Sequence, residues 1–251
     1  MPRELPAPAD APRHGIARVI SKLGIASRSQ AAHWVQAGRV AVNGRVVHDP
    51  EHPVLQERDS IRIDDRVVGA HARVYVMLNK PRGLVTTTND EHGRDTIYRC
   101  LDEASLPWLA PVGRLDKASE GLLLLSNDPH WAARITDPVV GIDKTYHAQI
   151  DRVPDPEWLQ ALLEGVDDDG ERLTAKSVRQ LRAGAKNAWI EIVLDEGRNR
   201  QIRRLLAAND ARVLRLVRVA IGSLPLGELA KGAWRLLTTE EVTTLSASSI
   251  T

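Results

Sequence analysis

The chain has 251 residues, 43% of them hydrophobic and 4% aromatic, with no phenylalanine, a single Cys100 and a formal net charge of +1. This length fits one large domain or a small domain followed by a medium one, and the lone cysteine excludes an internal disulfide bond. No apolar run reaches the roughly 18 residues of a membrane span, and "MPRELPAPADAPRH" lacks the apolar core of a secretory signal, so we predict a cytoplasmic protein with no membrane partner.

The near-neutral charge hides two basic blocks. Residues 11–48 contain six arginines and lysines and no acidic residue, and residues 197–227 contain seven arginines against the single acid Asp210. Two separate basic blocks on a near-neutral chain favour a polyanion, such as a nucleic acid, that is contacted at two places. The alternative is that both blocks are ordinary solvated surfaces.

The first predicted elements follow a lead-in that is rich in proline and alanine. We predict that residues 1–13 are disordered and that residues 14–63 form a small domain. Apolar residues in "GIARVISKLG" recur at helical spacing, which predicts a helix that stops at Gly24. In "SRSQ", a capping box from Ser27 to Gln30 opens a second helix that runs through Ala37.

A β-hairpin is predicted next. "RVAVNGRVV" alternates apolar and polar residues about an Asn-Gly pair, which readily adopts the positive φ angles of a two-residue turn. "DSIRID" is predicted as one more short strand. The order helix, helix, hairpin resembles the S4 RNA-binding module, and the segment "GIASRSQAAHWVQAGRVAVNGRVV" carries the resemblance. This resemblance implies that Arg28, Ser29 and Arg39 contact RNA phosphates; the alternative is that they are ordinary surface residues.

A second domain is predicted over residues 74–248, after a linker at residues 64–73. Strands are predicted in "RVYVMLNK", "LLLLSND", "KTYHAQID", "LTAKSVRQL", "AWIEIVLDE" and "ARVLRLVRVAIG". Helices are predicted at residues 130–136 after Asp128-Pro129, at residues 157–163 after Asp155-Pro156, in "RNRQIRRLLAA", and after a capping box at residues 238–241. Because strands outnumber helices without regular βα repeats, we predict an α+β fold with a mixed, mainly antiparallel sheet.

Several common kinds of chemistry lack their motifs. The sequence contains no phosphate-binding G-x-x-x-x-G-K-[ST] loop, no G-x-G-x-x-G fingerprint and no G-x-S-x-G elbow. One cysteine and eight scattered histidines offer no zinc-binding spacing. We therefore expect no metal and no cofactor, and we expect carboxylate, tyrosine and arginine side chains to carry any reaction.

The segment "PVGRLDKASEGLLLLSND" places Arg114 and Asp116 two residues apart beside four leucines. In an extended segment these two side chains share one face, and Leu115 points the other way. We expect Leu122–Leu125 to build an apolar floor, beside which a carboxylate would be protonated unless a cation kept it ionised. Taken alone, the motif is equally compatible with an ordinary surface ion pair.

Two further blocks accompany this motif. "DKTYHAQI" puts Lys144 and Tyr146 on one face of a strand, although such a tyrosine is more often part of the core. "EGRNRQIRRLLAAND" predicts a helix with an apolar stripe opposite Arg200, Arg203 and Arg204. In its order of motifs the chain resembles the bacterial ribosomal-RNA pseudouridine synthases of the RsuA type. The motifs are "LNKPRGLVTT", "GRLDKASEGLLLLSND", "KTY" and "EGRNRQIRRLL" with "RLVRVAIG".

This resemblance implies specific roles. Asp116 is then the essential catalytic aspartate, Tyr146 stacks on the flipped base, and Arg203 pairs with Asp116 and keeps it ionised. Arg114 helps to extrude the target uridine and takes its place in the RNA stack. The resemblance also implies that Arg200 and Lys80 bind RNA. For Lys80 the alternative is a structural role. Where family members often have glycine after the arginine helix, this chain has Asn209 and Asp210. Because asparagine tolerates the left-handed conformation that a C-cap needs, we expect Asn209 to keep the turn.

The implied reaction fits these residue types. Pseudouridine is uridine whose N1–C1′ bond is replaced by C5–C1′, so the base must leave the RNA stack, detach, rotate and reattach. An ionised carboxylate can attack C1′ or remove the proton from C2′, and the sequence leaves both routes open. Water or the Tyr146 hydroxyl is the candidate for removing the C5 proton.

The alternatives concern both activity and substrate. An inert S4-type RNA-binding assembly factor is the main alternative, but all four residues Arg114, Asp116, Tyr146 and Arg203 are present. A synthase that acts on several sites or on transfer RNA is a second alternative. The short "EGRNRQIRR" form favours a single site in ribosomal RNA, with a lean toward the large subunit. Free RNA and a pre-ribosomal particle both remain possible partners, and a monomer is the default expectation.

Overall fold

The structure is a computed structural model, and it describes residues 12–56, 58–69, 72–88, 90, 92–102 and 104–247. The predicted disorder of residues 1–13 therefore falls almost wholly outside the described residues. The chain divides into two units. One holds the described residues up to Arg73 together with Leu106–Ala110, and the other holds Val74–Ser105 and the described residues from Pro111 onward.

The first unit contains two helices and several short strands. In chain order its elements are β1 (His14–Gly15), α1 (Ile16–Lys22), α2 (Arg28–Gln36), β2 (Val40–Val42), β3 (Arg45–Val46), β4 (Pro53–Val54), β5 (Ile61–Ile63) and β6 (Arg66–Val68). β1 pairs with β4, and the order β3-β2-β5-β6 forms a four-stranded sheet. A core that includes Ile16, Ile20, Val35 and Val40 joins the helices to this sheet.

Local signals explain these elements. The Ser27 side chain accepts a hydrogen bond from the backbone N–H of Gln30 at 3.1 Å, which confirms the capping of α2. Asn43 and Gly44 have φ angles of 51° and 79° between β2 and β3, as a two-residue hairpin requires.

The predicted linker at residues 64–73 needs correction, because β6 lies within it and pairs with β5. Asp64 and Asp65 have φ angles of 46° and 65° and form a second two-residue turn. Aspartate tolerates the left-handed conformation, so "IRIDDRVV" is a hairpin although it lacks glycine. The sheet of the first unit therefore extends five residues beyond the boundary predicted at residue 63.

The described residues after the first eight elements contain eleven strands and four helices, which lie in the second unit except for Ala110 at the start of β8. They are β7 (Tyr75–Lys80), β8 (Ala110–Val112), β9 (Glu120–Ser126), α3 (Pro129–Thr136), β10 (Lys144–Ile150), α4 (Pro156–Glu164), β11 (Val166–Asp168), β12 (Glu171–Leu173), β13 (Ser177–Ala183), β14 (Ala188–Leu194), α5 (Gln201–Ala208), β15 (Val213–Ile221), β16 (Leu224–Pro225), β17 (Trp234–Leu236) and α6 (Thr239–Ala247). A short 3₁₀ turn covers Ile97–Cys100.

Nine of these strands, all within the described residues, form one sheet in which the order β13-β14-β10-β15-β9-β7-β17 is extended by β16 on β15 and β8 on β9. Along this order only the neighbours β9 and β15 run parallel. The α+β fold with a mixed, mainly antiparallel sheet is thereby confirmed. β11 and β12 form a separate hairpin.

Two apolar clusters attach helices to the large sheet. α4 and α5 pack against β10, β14 and β15 through residues such as Leu162, Ile190 and Leu205. α3 and α6 pack against β7 and β9 through Trp131, Leu124 and Leu245, among others. Three helix starts are those predicted: Asp128 and Asp155 cap α3 and α4, and residues 238 and 241 form a reciprocal capping box at the start of α6. The helix predicted from Arg198 begins only at Gln201, because Arg200 adopts the left-handed conformation.

One close backbone approach fixes the crossing of the two parallel strands. Gly121 of β9 has a φ of +100°, and a Cβ atom added there would lie 2.2 Å from the backbone oxygen of Arg218 in β15. Only glycine permits this contact. The glycine of "SEG" thus brings the end of the Asp116 loop directly against β15.

Candidate active site

The loop between β8 and β9 holds Asp116 by its backbone. The Leu115 side chain is buried, and its carbonyl oxygen accepts a hydrogen bond from the Thr86 hydroxyl at 2.7 Å. The Asp116 carbonyl accepts hydrogen bonds from the Ser119 N–H at 3.0 Å and from the Lys80 ammonium at 3.1 Å. Because these bonds use backbone atoms, the Asp116 carboxylate stays free to face a cleft, with its side chain 39% exposed.

Lys80 cannot contact RNA, which corrects its assignment as an RNA-binding residue. Its side chain is 0% exposed, and its Nζ donates to the carbonyl oxygens of Pro81, Asp116 and Ser119 at 2.9–3.1 Å. Burial lowers the pKa of Lys80 to about 8, and the nearby carboxylates of Asp116 and Glu120 oppose this shift. The contacts therefore support the alternative, in which Lys80 has a structural role.

Glu120 anchors the far end of the loop. Its buried carboxylate accepts hydrogen bonds from Arg215 at 2.9 Å and lies 2.6 Å from the Lys231 ammonium. Burial opposes ionisation of Glu120, but the hydrogen bonds from Arg215 and Lys231 outweigh it and lower the pKa of this carboxyl. The part of the loop from Asp116 to Glu120 is thus held by two buried charges, those of Lys80 and Glu120.

The cleft beside Asp116 has a volume of about 520 Å³, within the usual range for small-molecule sites. The loop 112–119, α3, β10, β15 and the start of α5 supply its walls. A second cavity of about 360 Å³, beside Asp90 and Arg94, shares the wall Arg114–Asp116. None of Leu122–Leu125 lines either cavity, so the predicted apolar floor is wrong; apolar residues of β14 and β15 such as Leu194 and Leu216 take that place.

Arg200 is the ion-pair partner of Asp116. Its Nη1 lies 3.9 Å from Oδ2 of Asp116, at the outer limit of a direct ion pair. Arg200 precedes α5 in the left-handed conformation, with φ 49°. Arginine is rare in this conformation, and such outliers often occur at functional sites.

Arg203 does not form the predicted ion pair with Asp116. Its guanidinium instead donates to the carbonyl oxygens of Ala118 at 3.3 Å and Val213 at 3.5 Å, although both arginines line the same cleft as Asp116. Burial and the like charge of Arg200 lower the pKa of Arg203, and Asp116 opposes this shift. Helix periodicity placed Arg203 on the correct face but could not decide which arginine is closer to the carboxylate.

A hydrogen-bond network orders the loop before α5. The Gln201 side chain donates to Glu196 at 2.6 Å and to the Thr174 carbonyl at 3.1 Å, and it accepts from the Arg198 N–H at 3.2 Å. Glu196 also accepts from the Arg198 side chain at 2.8 Å. These groups hold the backbone from which Arg200 reaches the cleft.

At the carboxyl end of α5 the predicted turn is present, but a different residue forms it. Asn209 has a φ of −108°, so the expectation that it adopts the left-handed conformation is wrong. Asp210 takes that conformation instead, with a φ of 55°. The Ala211 N–H then donates to the Leu206 carbonyl at 2.9 Å and closes the helix.

β10 presents Lys144 and Tyr146 to the cleft, as the alternation of the strand predicted. Tyr146 is half-buried and pairs in register with Ile192 on one side and Arg218 on the other. Burial lowers the pKa of Lys144, and the charge of Arg218 adds to this effect.

Arg218 is a cleft residue that the sequence reading missed. Its side chain is 5% exposed, and its Nε donates to the Leu122 carbonyl at 2.7 Å. The available signal was its position two residues after Leu216, which puts a charged side chain on the core-facing side of a strand.

The predicted RNA contacts of the first unit lie on its surface. Arg28 forms an ion pair with Glu51 at 2.8 Å, with 61% of its side chain exposed. Ser29 shares a 3.1 Å hydrogen bond with Ser27. Arg39 pairs with Asp64 and lies over the Trp34 ring, 5.3 Å from its centroid. These pairs leave the three side chains accessible.

Comparison with known proteins decides the family. The family model described as "RNA pseudouridylate synthase" matches residues 74–208. The chain belongs to the RNA pseudouridylate synthase family. A model of the S4 domain matches residues 15–60, which confirms the resemblance of the first unit. The matched synthase segment contains both the Asp116 loop and α5.

Related proteins match nearly the full length of the chain. This synthase is 35% identical over 231 residues to an "Uncharacterized RNA pseudouridine synthase" of Aquifex aeolicus, covering 92% of each chain. It is 35% identical over 233 residues to "Ribosomal large subunit pseudouridine synthase B" of Bacillus subtilis, covering 92% of this chain and 94% of the relative. A solved crystal structure of a pseudouridylate synthase is similar with a TM-score of 0.65 and 31% identity, over 92% of this chain and 99% of that one.

Two further features of the described residues concern membranes and metal ions. None of the described helices has both the length and the apolar composition that a bilayer crossing requires. Within the same residues, no three or more histidine, cysteine, aspartate or glutamate side chains come together in a way that could hold a metal ion.

Proposed function

We propose that this pseudouridine synthase isomerises one specific uridine of large-subunit ribosomal RNA, with Asp116 as its catalytic carboxylate. The observation that carries the proposal is the position of the Asp116 carboxylate, half-exposed in the cleft beside Arg200 and Arg203. The choice of the large subunit rests on the name of the B. subtilis relative.

Target access requires that the uridine leave the RNA stack, because the atoms that react are inaccessible within it. Arg114 is exposed and lies on the wall between the two cavities, where it can occupy the gap left by the extruded base. Tyr146 lines the deeper cleft, where its ring can stack on the flipped uracil.

The first chemical step breaks the N1–C1′ bond. Asp116 either attacks C1′ or takes the C2′ proton, and both routes need the ionised carboxylate. Arg200 is close enough to stabilise this charge directly, and Arg203 adds a second, partly buried positive charge at the same cleft. The base then rotates, and C5 bonds to C1′. In the attack route the bond between Asp116 and C1′ breaks at this point, and in the elimination route Asp116 returns its proton to C2′ as the C1′=C2′ double bond opens. Water or the Tyr146 hydroxyl then removes the C5 proton.

The remaining assignments belong to the same proposal. Residues 14–68 would form the S4-type domain and residues 74–248 the catalytic domain, with a linker of about five residues between them. Arg28, Ser29 and Arg39 would contact RNA phosphates. The protein would act as a cytoplasmic monomer on ribosomal RNA, either free or in a pre-ribosomal particle.

Tritium release from RNA that carries [5-³H]uridine tests the proposal directly, because the C5 hydrogen leaves only when C5 becomes the attachment point. We expect release with the native protein and at least about a 1000-fold lower rate with Asp116→Asn. Asp167→Asn is the matched control, since Asp167 pairs with Arg172 on the surface, with 75% of its side chain exposed. Its release rate should equal that of the native protein.

The substrate arms of this experiment are large-subunit RNA, small-subunit RNA, transfer RNA and assembly intermediates of both subunits. Release from small-subunit or transfer RNA alone would contradict the assignment to the large subunit. No release from any of them would instead support the inert RNA-binding factor.

A further inference from the structure

Arg218 is the most deeply buried arginine of the cleft and is incompletely bonded. Its Nε donates to the Leu122 carbonyl, but its Nη2 is buried and has no hydrogen-bond partner among the described residues. Buried polar atoms of native proteins are nearly always paired, so an unpaired guanidinium N–H at a cleft wall calls for an explanation.

The backbone around Arg218 is held rigidly in place. Its strand lies in parallel register with β9, where Arg218 pairs with Gly121, and no side chain separates the two backbones. On the other side Arg218 pairs with Tyr146 of β10. The Nε hydrogen bond to Leu122 holds the guanidinium, and Arg218 lines the same cleft as Tyr146, the tyrosine that the proposed function assigns to base stacking.

The charges around Arg218 leave it without a carboxylate of its own. Among the described residues it takes part in no ion pair, whereas Arg200 pairs with Asp116 and Arg215 on the opposite face pairs with Glu120. Lys144, another cation of the cleft, has a pKa that is lowered by burial and by the charge of Arg218. This part of the cleft is thus suited to a ligand that is neutral on entry and becomes negatively charged.

The uracil base meets that description during the reaction. When the N1–C1′ bond breaks, its electron pair moves to the base, and the resulting anion is delocalised over N1, O2 and O4. In the attack route the new bond joins Asp116 to C1′. In the elimination route Asp116 takes the C2′ proton and the C2′–H electron pair forms a C1′=C2′ double bond. Both routes release the same anion, and no oxidant or further reactant is needed.

We propose that Arg218 is a further catalytic residue, whose unpaired Nη2–H donates to a carbonyl oxygen of the flipped uracil and stabilises the detached uracil anion. A preorganised donor in a site of low polarity is strongest at the moment when charge develops on its acceptor. Arg218 exchanges no proton and stays positively charged throughout. The inference rests on the proposed function, because it assumes that the base detaches in this cleft.

The test compares two substrates that differ in how well the detached base carries negative charge. Large-subunit RNA is transcribed with uridine or with 5-fluorouridine, whose fluorine stabilises the anion. Consumption of the target nucleoside is followed in a single turnover by digestion and chromatography, for the native protein, Arg218→Met and Arg218→Lys. With uridine we expect Arg218→Met to lose about 100- to 1000-fold in rate, and Arg218→Lys to lose less because it keeps the charge.

With 5-fluorouridine the loss caused by Arg218→Met should be about tenfold smaller, because the more stable anion needs less help. A merely structural role would reduce both rates by the same factor. Arg212→Met is the matched control, since Arg212 pairs with Asp151 and has 83% of its side chain exposed. Thermal unfolding shows whether each variant is folded. If Arg218→Met does not fold, the test uses Arg218→Lys, by comparing its rate losses on uridine and on 5-fluorouridine.

Equal losses on the two substrates, or no loss on either, would overturn the role of Arg218 while leaving the proposed function intact. Absence of turnover by the native protein on both substrates would overturn the proposed function, and the role of Arg218 with it. The smaller loss on 5-fluorouridine, with unchanged RNA affinity, is the result that supports the inference.

Discussion

Lys80 and Arg218 are both charged and buried, but their hydrogen bonds differ. The three N–H groups of Lys80 meet three carbonyl oxygens around the Asp116 loop, whereas Arg218 keeps one buried N–H unpaired. Because saturated donors cannot bind a substrate, Lys80 is a residue of the scaffold and Arg218 is a candidate for chemistry. Sequence patterns show that a charged residue is buried, but they do not show where its donors point.

Burial of Lys80 should make stability depend on pH. Since the folded-state pKa of about 8 lies below the unfolded value of 10.5, the folded protein loses this proton at lower pH than the unfolded chain. The unfolded chain then binds more protons between these pH values, so the free energy of unfolding rises with pH across this window. Below pH 8 the lysine is charged in both states, and its burial is a constant cost.

Urea unfolding of the native protein and of Lys80→Met at pH 7, 8, 9 and 10 measures this effect. We expect Lys80→Met to be less stable than the native protein, because three carbonyl oxygens lose their donor. We also expect the stability difference in favour of the native protein to grow from pH 8 to pH 10. A difference that is constant with pH would mean that the Lys80 pKa is not lowered.

At the scale of elements, the crossing of β9 and β15 brings the site together. The Asp116 loop enters β9, and Arg218 lies on β15. These residues are about 100 positions apart in sequence, and they meet because Gly121 lets the two backbones approach. α5 then packs against β15 and its neighbours β10 and β14 through Ile202, Leu205 and Leu206 and carries Arg203 to the cleft.

Substitution of Gly121 by alanine should disrupt this crossing. The added Cβ would lie 2.2 Å from the Arg218 carbonyl oxygen, so the strands must separate. We expect a loss of about 3 kcal/mol or more in the free energy of unfolding, together with a large loss of turnover. Chemical denaturation and the tritium assay measure the two effects.

Gly170→Ala is the matched control for the backbone conformation. Gly170 has a φ of +76°, and a Cβ atom there would meet no atom within 4 Å. This variant should lose only about 1 kcal/mol, the cost of the left-handed conformation alone. Similar losses at the two glycines would show that the close contact at Gly121 is unimportant.

At the scale of the whole molecule, basic residues occur in both units. The first unit carries Arg28 and Arg39 on its surface, and the second carries Arg114 and Arg200 at the cleft. Cations that contact RNA phosphates release counterions, so each contact increases the salt dependence of binding. Affinity and chemistry should therefore be separable, because the proposed phosphate contacts and the reacting groups belong to different units.

The double variant Arg28→Gln/Arg39→Gln should bind RNA more weakly and with a smaller salt slope. The magnitude of the slope of log K against log [salt] should fall by about 1.5 to 2, close to one for each lost phosphate contact. Turnover at saturating RNA should stay within about twofold of the native rate. Filter binding between 50 and 300 mM salt, with the tritium assay alongside, provides both measurements.

Arg172→Gln/Arg179→Gln removes the same charge from the second unit, at side chains that are 54% and 65% exposed and paired with acids. This control should keep the native salt slope. If the Arg28→Gln/Arg39→Gln variant keeps the salt slope of the native protein, Arg28 and Arg39 do not contact RNA phosphates.

The amino-acid sequence by itself determined what depends on neighbouring residues. Capping at Ser27, Asp128 and Asp155, the Asn-Gly turn and the alternation of β10 are local, and each was predicted because the side chain bonds or buries within its own element. The order of the motifs also indicated the family, and the family model that matches residues 74–208 confirmed it. The Asp64-Asp65 turn was missed although it is local, because aspartate gives a weaker turn signal than glycine.

Only the tertiary structure decided which charges meet. Arg200 rather than Arg203 pairs with Asp116, Lys80 is buried, and Arg218 reaches the cleft, because long side chains span several ångströms and their partners lie on other strands. Periodicity assigns a residue to a face of its element, but it carries no information about the distance to a residue 80 or 100 positions away. Packing of α5 and β15 against the Asp116 loop sets those distances.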